Sequence, residues 1–252
     1  MYLRKSYTTP TILLDGDLYM YRAAVAAETE QDWGDDIWSL STDLKHAKTI
    51  FNNQIADFKA ELVADEVVVC FTGSNNFRRN VDSSYKAGRA KTRKPVGYKA
   101  LVKWAMEEFK SVRVDALEAD DVMGIMGSIP GTQGIVVSDD KDLKSVPCKL
   151  YRPQSNERLD ITIPEADRFF LTQALTGDSV DGFAGCPKVG PKTAAKLLGT
   201  RPSWQAVVAA YEKEGLDEAH ALGQARLARI LRCTDWDDNA REPVLWEPEN
   251  GC

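Results

Sequence analysis

The chain has 252 residues, of which 43% are hydrophobic and 28% are charged, and its formal net charge is −6. That length allows one large domain or two lobes with a buried core. No apolar run approaches the ~20 residues of a membrane helix, and the N-terminus has no run long enough for a signal peptide. Five cysteines without a CxxC pair argue against a disulfide framework or a zinc site. We therefore expect a cytoplasmic protein with no membrane partner.

Three short apolar runs are typical of buried strands, and helical patterns lie between them. The strands are predicted at Thr11–Leu14, Glu66–Thr72 and Gly134–Ser138. A long helix is predicted after Ser41 as N-cap, with an apolar face that runs from Leu44 to Leu62, and two further helices are predicted at about 98–109 and 117–129. Strands that alternate with helices imply an α/β fold with a central, mostly parallel sheet flanked by helices.

Carboxylates follow two of these strands directly. Asp15 comes after the first strand, and Asp139, Asp140 and Asp142 come after the third. Ligands of such sheets bind beyond the carboxyl ends of the strands, so these acids are expected at one edge. Aspartate also punctuates strand ends without any function, an alternative that explains one strand more easily than two.

A second acidic group lies at the start of the third predicted helix. Glu118 and Asp121 are three residues apart and share a helix face, whereas Asp120 lies ~100° around from Asp121. Acids at a helix N-terminus can simply interact with the helix dipole. Here an apolar segment follows them, which predicts partial burial, and buried carboxylates need cations. Mg²⁺ and Mn²⁺ prefer such oxygen ligands, so the pattern favours a metal site.

Basic residues are concentrated in two segments of this acidic protein, 77–103 and 186–201. The first includes a long loop, predicted at 74–97 and largely unstructured. In this loop Tyr85 can stack on a base, and Lys86 and Arg89 can contact phosphates and stabilise charge on a scissile phosphate. A solvated basic loop is the alternative. Further side chains expected to contact DNA here are Arg78, Arg79, Lys91, Arg93 and Lys94.

The last third of the chain is predicted to form helices, at about 164–175, 191–198, 203–212 and 217–232. GDSVDG (177–182) places Asp178 and Asp181 three residues apart, and a glycine-rich turn follows. Together these features predict a helix–hairpin–helix over about 168–198, whose exposed amides can bind a duplex phosphate without reading sequence. An ordinary helical hairpin is the alternative. The residues expected to contact DNA here are Gly185, Lys188, Gly190, Lys192 and Lys196.

Seven blocks of the sequence resemble the phage and bacterial flap-endonuclease/5′→3′ exonuclease family, most of all the replication exonucleases of short-tailed lytic phages. The blocks are LLDGDLYMYRAA, SYKAGR, KPVGY, LEADDVMG, VVSDDKDLKSVP, GDSVDGFAG and GQARLARILR, from about residue 12 to residue 232. The resemblance implies a PIN/FEN-like α/β core over 1–160, with 74–97 as an arch or clamp loop. It also implies a helical DNA-binding region over 161–252 that contains a helix-three-turn-helix.

The same resemblance implies a carboxylate-lined site for two Mg²⁺ or Mn²⁺ ions. It places Tyr85, Lys86 and Arg89 beside the scissile phosphate, adds Arg22 as a further arginine of the site, and implies a K⁺ ion at the turn 185–190. The metal ligands that it implies are Asp15, Glu118, Asp120, Asp121, Asp140, Asp142, Asp178 and Asp181.

One position departs from the family pattern. After the second strand the family usually has an aspartate, in a pattern such as FTD, whereas this chain has FTG with Gly73 at that place. One metal ligand is therefore expected to be missing. Asp82 is the nearest downstream acid, and Asp17 is a second carboxylate that could compensate by holding a metal-bound water.

These features predict a metal-dependent 5′→3′ exonuclease or 5′-flap endonuclease that acts on DNA, and on RNA–DNA hybrids, as a monomer. By resemblance it would serve phage DNA replication in the cytoplasm of an infected bacterium. Two alternatives stay open. One is a DNA-junction binder without catalysis, which Gly73 suggests. The other is a haloacid-dehalogenase-like phosphatase, suggested by the Asp-x-Asp of LLDGDLY but opposed by Tyr19, where that family has threonine or valine.

Overall fold

The computed structural model describes residues 3–88 and 92–248 as a six-stranded sheet with helices on both faces, followed by a helical region. In chain order the strands are β1 (Thr11–Asp15), β2 (Glu28–Asp32), β3 (Trp38–Thr42), β4 (Glu66–Thr72), β5 (Ser111–Val114), β6 (Gly134–Val137), β7 (Lys149–Arg152), β8 (Glu157–Asp160), β9 (Trp236–Asp237) and β10 (Glu242–Pro243). The helices are α1 (Gly16–Ala26), α2 (Leu44–Leu62), α3 (Arg78–Val81), α4 (Tyr98–Glu108), α5 (Ala119–Gly127), α6 (Ile163–Thr176), α7 (Pro191–Leu198), α8 (Trp204–Lys213) and α9 (Glu218–Ala228). The α/β prediction is confirmed.

The central sheet has the strand order β5-β4-β1-β6-β7-β8, and its first five strands are parallel. β1 lies in the middle and is buried along its whole length. Its alternate side chains serve two different cores: Leu13 packs on the α5 side, and Ile12 and Leu14 pack on the side of α1, α2 and α4. This double burial explains why the strand is a continuous apolar run.

The parallel register brings the strand ends to one edge. Asp15 of β1 pairs with Cys70 of β4, and Leu14 pairs with Val137 of β6. Thr72 and Ser138 therefore lie beside Asp15 at the carboxyl edge of the sheet. Parallel strands end at the same edge of a sheet, and the sequence-based prediction that acids following different strands would meet there used this property.

Helices α6 to α9 form a separate apolar cluster, built around Phe170, Tyr211 and Trp204. Their bounds lie within a few residues of the predicted ones, and α7 begins at Pro191 as expected. Within the described residues, no helix is both long enough and apolar enough to span a bilayer.

Several elements differ from the predictions. The hairpin β2–β3 and the strands β5, β7 and β8 were not predicted, because they are four or five residues long and mix polar with apolar side chains. The N-cap of α2 is Asp43 and not Ser41, since the Asp43 carboxylate accepts the backbone N–H of His46.

The described part of the segment 74–97, residues 74–88 and 92–97, is more ordered than predicted. It contains the short helix α3, and three of its side chains, Phe77, Arg78 and Tyr85, are between 2% and 4% exposed. Arg78 makes a bidentate ion pair with Asp121 of α5, with N–O distances of 2.7 and 2.8 Å, and Asp121 is fully buried. The segment is thus anchored to the core by buried contacts.

Replacement of Asp121 by asparagine should destabilise the protein by about 3 kcal/mol, because it leaves the Arg78 guanidinium buried without its main counter-charge. Chemical denaturation followed by circular dichroism measures this change. The matched control is Glu107→Gln, which removes the same charge from an exposed ion pair with Lys103 on α4 and should leave the unfolding free energy unchanged. Equal stability of the two variants would contradict the anchoring role of the buried pair.

Candidate active site

Asp15 lies at the centre of the carboxyl edge. Its side chain caps α1 by accepting the N–H of Leu18 at 3.0 Å, and it also accepts the hydroxyl of Ser138 at 2.7 Å. Burial is the largest cause of a pKa of about 6 for Asp15. The two hydrogen bonds oppose this rise, and the nearby carboxylates of Asp17 and Asp140 add to it. Asp15 is therefore a buried acid in a negative environment.

The three acids at the start of α5 point in different directions. Asp120 lines the same cleft as Asp15, and burial, followed by the charges of Asp140 and Asp15, raises its pKa well above the usual value. Asp121 instead points into the protein, where it accepts the N–H groups of Glu118 and Leu231 and pairs with Arg78. The expectation that Asp121 binds metal is wrong for this arrangement, because its oxygens are already used.

The acids that follow β6 also divide. Asp139 forms an ion pair with Arg22 at 2.6 Å, which places the predicted arginine at the rim of the cleft. Asp140 begins a short turn by accepting the N–H of Asp142. One oxygen of Asp142, Oδ1, is buried without a hydrogen-bond partner, and burial and the charge of Asp140 raise the pKa of Asp142 to about 6.

Asp178 and Asp181 are held by a tight loop after α6. Gly177 and Gly185 both have positive φ, and a Cβ on either would lie 2.3 Å from the backbone of the opposite chain segment. The Asp178 carboxylate accepts the N–H groups of Val180 and Asp181, which closes the loop. The glycines thus bring two acids of the helical region against the core.

These side chains line two adjoining clefts. The first, of about 540 Å³, contains Asp15, Asp17, Asp120, Asp139 and Asp140. The second, of about 250 Å³, lies between the core and the helical region. Its acidic side chains are Glu118, Asp120, Asp140, Asp142, Asp178 and Asp181. Seven of the eight predicted metal ligands therefore line one cleft or both, and the eighth, Asp121, does not.

The donor types of the clefts fit a hard divalent cation. They are almost entirely carboxylate oxygens, and two buried oxygens in the second cleft, Asp142 Oδ1 and Gln173 Oε1, have no hydrogen-bond partner. Mutual repulsion between buried carboxylates also favours a cation. Yet across residues 3–88 and 92–248 no three acid, histidine or cysteine side chains are close enough to hold an ion as they stand. Binding would require these side chains to close on the ion.

Two of the predicted catalytic residues of the basic segment 77–103, Tyr85 and Lys86, line the second cleft. Lys86 Nζ is 2.7 Å from Glu118 and 3.3 Å from Asp181, and Tyr85 donates its hydroxyl to Glu118 at 3.1 Å. Tyr85 is only 3% exposed and packs in the helical core, so the expectation that it stacks on a base is wrong for this arrangement. Arg89 lies outside the described residues.

The predicted DNA contacts also differ in accessibility. Arg78 is 2% exposed and cannot reach DNA, so that prediction is wrong for this arrangement, and Arg93 is exposed but paired with Glu28. Arg79 and Lys94 line a groove of about 1000 Å³ next to the clefts. Lys91 lies outside the described residues.

In the helical region the predicted DNA contacts fall around the start of α7. Gly190 is the N-cap of this helix, and Lys192 and Lys196 on it are exposed. Lys188 is exposed and paired with Glu214 at 2.6 Å, whereas Gly185 is buried in the loop that precedes the helix.

Gly73 proves to be a packing position. A Cβ at this residue would lie 1.9 Å from the carbonyl oxygen of Val114, so no side chain fits without movement of the backbone. Position 73 therefore has no room for an aspartate in this backbone, and the expectation that one metal ligand is missing here stays a prediction. The neighbouring Thr72 lines the first cleft instead, and Asp17 accepts the Thr72 N–H at 2.9 Å and the Tyr98 hydroxyl at 2.8 Å.

Sequence reasoning missed Thr72, Gln173 and Lys141, all of which line a cleft. Gln173 carried a usable signal: helical spacing from Ala166 and Phe170 predicts a buried face, where a polar residue is unusual. For Thr72 and Lys141 the one available signal was position in the sequence, because Thr72 ends a predicted strand and Lys141 follows Asp140.

Comparisons with known proteins agree on one family. Residues 10–161 match the family model "5′-3′ exonuclease, N-terminal resolvase-like domain". The chain is 30% identical to the exodeoxyribonuclease of Enterobacteria phage T3, over 95% of this chain and 93% of that protein. It is also 30% identical to the exonuclease of Escherichia phage T7, over 94% and 93%. A bacteriophage T5 flap endonuclease variant, solved with DNA and metal ions, has the same fold, with a TM-score of 0.60, 12% identity and coverage of 87% and 89%.

Replacement of Gly73 by alanine should destabilise the protein by about 3 kcal/mol, because the new Cβ must displace the Val114 carbonyl. Gly73→Asp should destabilise it at least as much and should not strengthen metal binding. Thermal and chemical denaturation measure the first effect, and Mn²⁺ titration measures the second. The control is Gly223→Ala, on α9 with open space around it, which should be neutral or slightly stabilising. Tighter Mn²⁺ binding by a stable Gly73→Asp variant would overturn the packing interpretation.

Proposed function

Because the chain belongs to the 5′–3′ exonuclease family and so is a 5′–3′ nuclease, we propose that it hydrolyses DNA phosphodiesters with divalent metal ions held in the two clefts. The observation that carries this proposal is the convergence of seven acids from four chain segments on adjoining clefts, with Lys86 between two of them. The phosphatase alternative is set aside, since it accounts for neither the family nor the second cleft.

The metal ligands fall into two groups in this proposal. Asp15, Asp120 and Asp140 bind a metal ion in the first cleft. Asp178 and Asp181, together with Glu118 and Asp142, bind a metal ion in the second cleft. Mg²⁺ or Mn²⁺, when bound, lowers the pKa of water and offsets negative charge on a phosphate. We propose that two ions are used.

The protein groups act on the substrate through charge and position. Lys86 and, at the rim of the first cleft, Arg22 and Lys141 supply positive charge close to the acids, where a phosphate would lie. Tyr85 fixes the orientation of Glu118 from a buried position and does not contact DNA. Arg79 and Lys94 would guide the nucleic acid along the groove that leads to the clefts.

The helical region is proposed to hold duplex DNA. α7 presents its N-terminal amides beyond Gly190, and Lys192 and Lys196 extend from the same helix into solvent. These groups contact phosphates without reading bases. The turn 185–190 would carry the predicted helix–hairpin–helix function, with K⁺ as its ion. The substrate would be a duplex with a free 5′ end or a 5′ flap, with RNA–DNA hybrids as a further substrate, and the enzyme would act as a monomer.

The first experiment uses a 5′-labelled duplex and a 5′-flap substrate with Mg²⁺, Mn²⁺ or EDTA. Asp140→Ala and Asp178→Ala should each lower cleavage by at least about 100-fold, because each removes a carboxylate from the clefts. DNA binding measured in EDTA should be retained. The matched control is Asp57→Ala, an exposed acid on α2, which should cleave normally. Binding without cleavage by the wild type under every metal condition would instead support the junction-binding alternative.

Substitution of both Lys192 and Lys196 by glutamine should weaken duplex binding and reduce the slope of log K against log [salt] by about 2, one for each lost phosphate contact. Fluorescence anisotropy over a salt series measures the slope, and cleavage of a saturating substrate should change little. Lys213→Gln, an exposed lysine on α8, is the control. An unchanged slope in the double variant would remove α7 from the DNA interface.

A further inference from the structure

Lys86 occupies the mouth of the second cleft as a cation supplied by the chain itself. Its ammonium group lies 2.7 Å from Glu118 Oε1 and 3.3 Å from Asp181 Oδ2, and its side chain is only 14% exposed. Its backbone N–H also donates to the carbonyl of Asp181 at 2.8 Å. Lys86 therefore bridges the core, through Glu118, and the helical region, through Asp181.

Two unsatisfied acceptors indicate that this cleft suits a cation of higher charge than one ammonium group. Gln173, on α6, is nine-tenths buried and its Oε1 has no hydrogen-bond partner, and the buried Oδ1 of Asp142 also has none. Both residues line the cleft that Lys86 closes. One ammonium group satisfies two of the acids and leaves these acceptors unsatisfied.

Among the described contacts, the Lys86 side chain makes fewer polar contacts than Arg78, the other cation that binds Glu118. Arg78 also contacts Glu118, but it is fully buried and donates to Asp121 and to the carbonyls of Leu227 and Arg229. Lys141 is exposed at the rim. Within the described residues, the side chain of Lys86 is held through its ammonium group, and its backbone has a left-handed conformation, with φ of 54°, that is uncommon for a residue with a Cβ.

We propose that Lys86 is a built-in competitor of the divalent cation in the second cleft. In the metal-free protein its ammonium neutralises Glu118 and Asp181, and a divalent ion binds there only after the ammonium has withdrawn. The withdrawn lysine is then available to a phosphate at the same place. This inference rests on the proposed metal-dependent function, and it adds an order of events: the Lys86 ammonium first leaves Glu118 and Asp181, and the divalent ion then takes its place.

The first test measures Mn²⁺ binding to the full chain without DNA, by electron paramagnetic resonance. Lys86→Met should bind Mn²⁺ about tenfold more tightly than the wild type, because removal of a partly buried competing ion pair has this scale. Lys141→Met removes the same charge from the rim of both clefts and should change the affinity by less than about threefold. Equal affinities of the wild type and Lys86→Met, or equal gains in both variants, would overturn the proposal.

A second test uses the wild type alone, so it stands even where Lys86→Met fails to fold. Amine labelling followed by mass spectrometry reports the reactivity of each lysine. Mg²⁺ should raise the labelling of Lys86 several-fold relative to Lys141, and unchanged or slower labelling overturns the inference. Absence of Mn²⁺ binding in the wild type and in both variants would overturn the metal-dependent function as well. Binding that is lost in Asp140→Ala but unaffected by Lys86→Met would overturn this inference alone.

Discussion

The buried ion pair between Arg78 and Asp121 is the interaction on which the rest of the site depends. It joins three distant parts of the chain, since Arg78 comes from the basic segment, Asp121 from α5, and the carbonyls that Arg78 also binds from the end of α9. A buried pair of this kind is no guarantee of stability, but removal of either partner leaves an uncompensated charge. With Asp121 fixed inward, helical geometry turns Asp120 towards the clefts and leaves Glu118 at their boundary.

The core of this arrangement could be predicted from the sequence because it follows from local patterns. Apolar runs of strand length, separated by helical segments, determine a parallel sheet, and a parallel sheet brings its carboxyl ends together. The meeting of Asp15 with Asp140 therefore required no knowledge of long-range contacts. The glycine-rich loop after α6 was predictable for the same reason, since its glycines and acids lie within nine residues of one another.

The remainder depended on partners that are far apart in the chain. Arg78 and Asp121 are 43 residues apart. The basic composition around Arg78 made it a predicted DNA contact, and the spacing of the acids together with the family resemblance made Asp121 a predicted metal ligand. Tyr85 was expected to stack on a base, yet its ring packs in the apolar cluster of the helical region. At Gly73 the sequence showed only that a side chain is absent. The space at this position is limited by the carbonyl of Val114, which belongs to β5, a strand that was not predicted.

The same residues explain how an acidic protein can combine a buried acidic site with a DNA-binding surface. Three cations of the basic segment pair with acids of the protein itself: Arg78 pairs with Asp121, Lys86 with Glu118 and Asp181, and the exposed Arg93 with Glu28. Exposed cations such as Lys94 add to the field that a phosphate backbone meets. Repulsion between the buried carboxylates of the clefts destabilises the fold, and internal cations reduce this penalty without removing it. A divalent ion that binds there should therefore stabilise the fold as well as supply the chemistry, because it engages the acceptors that the internal cations leave unsatisfied.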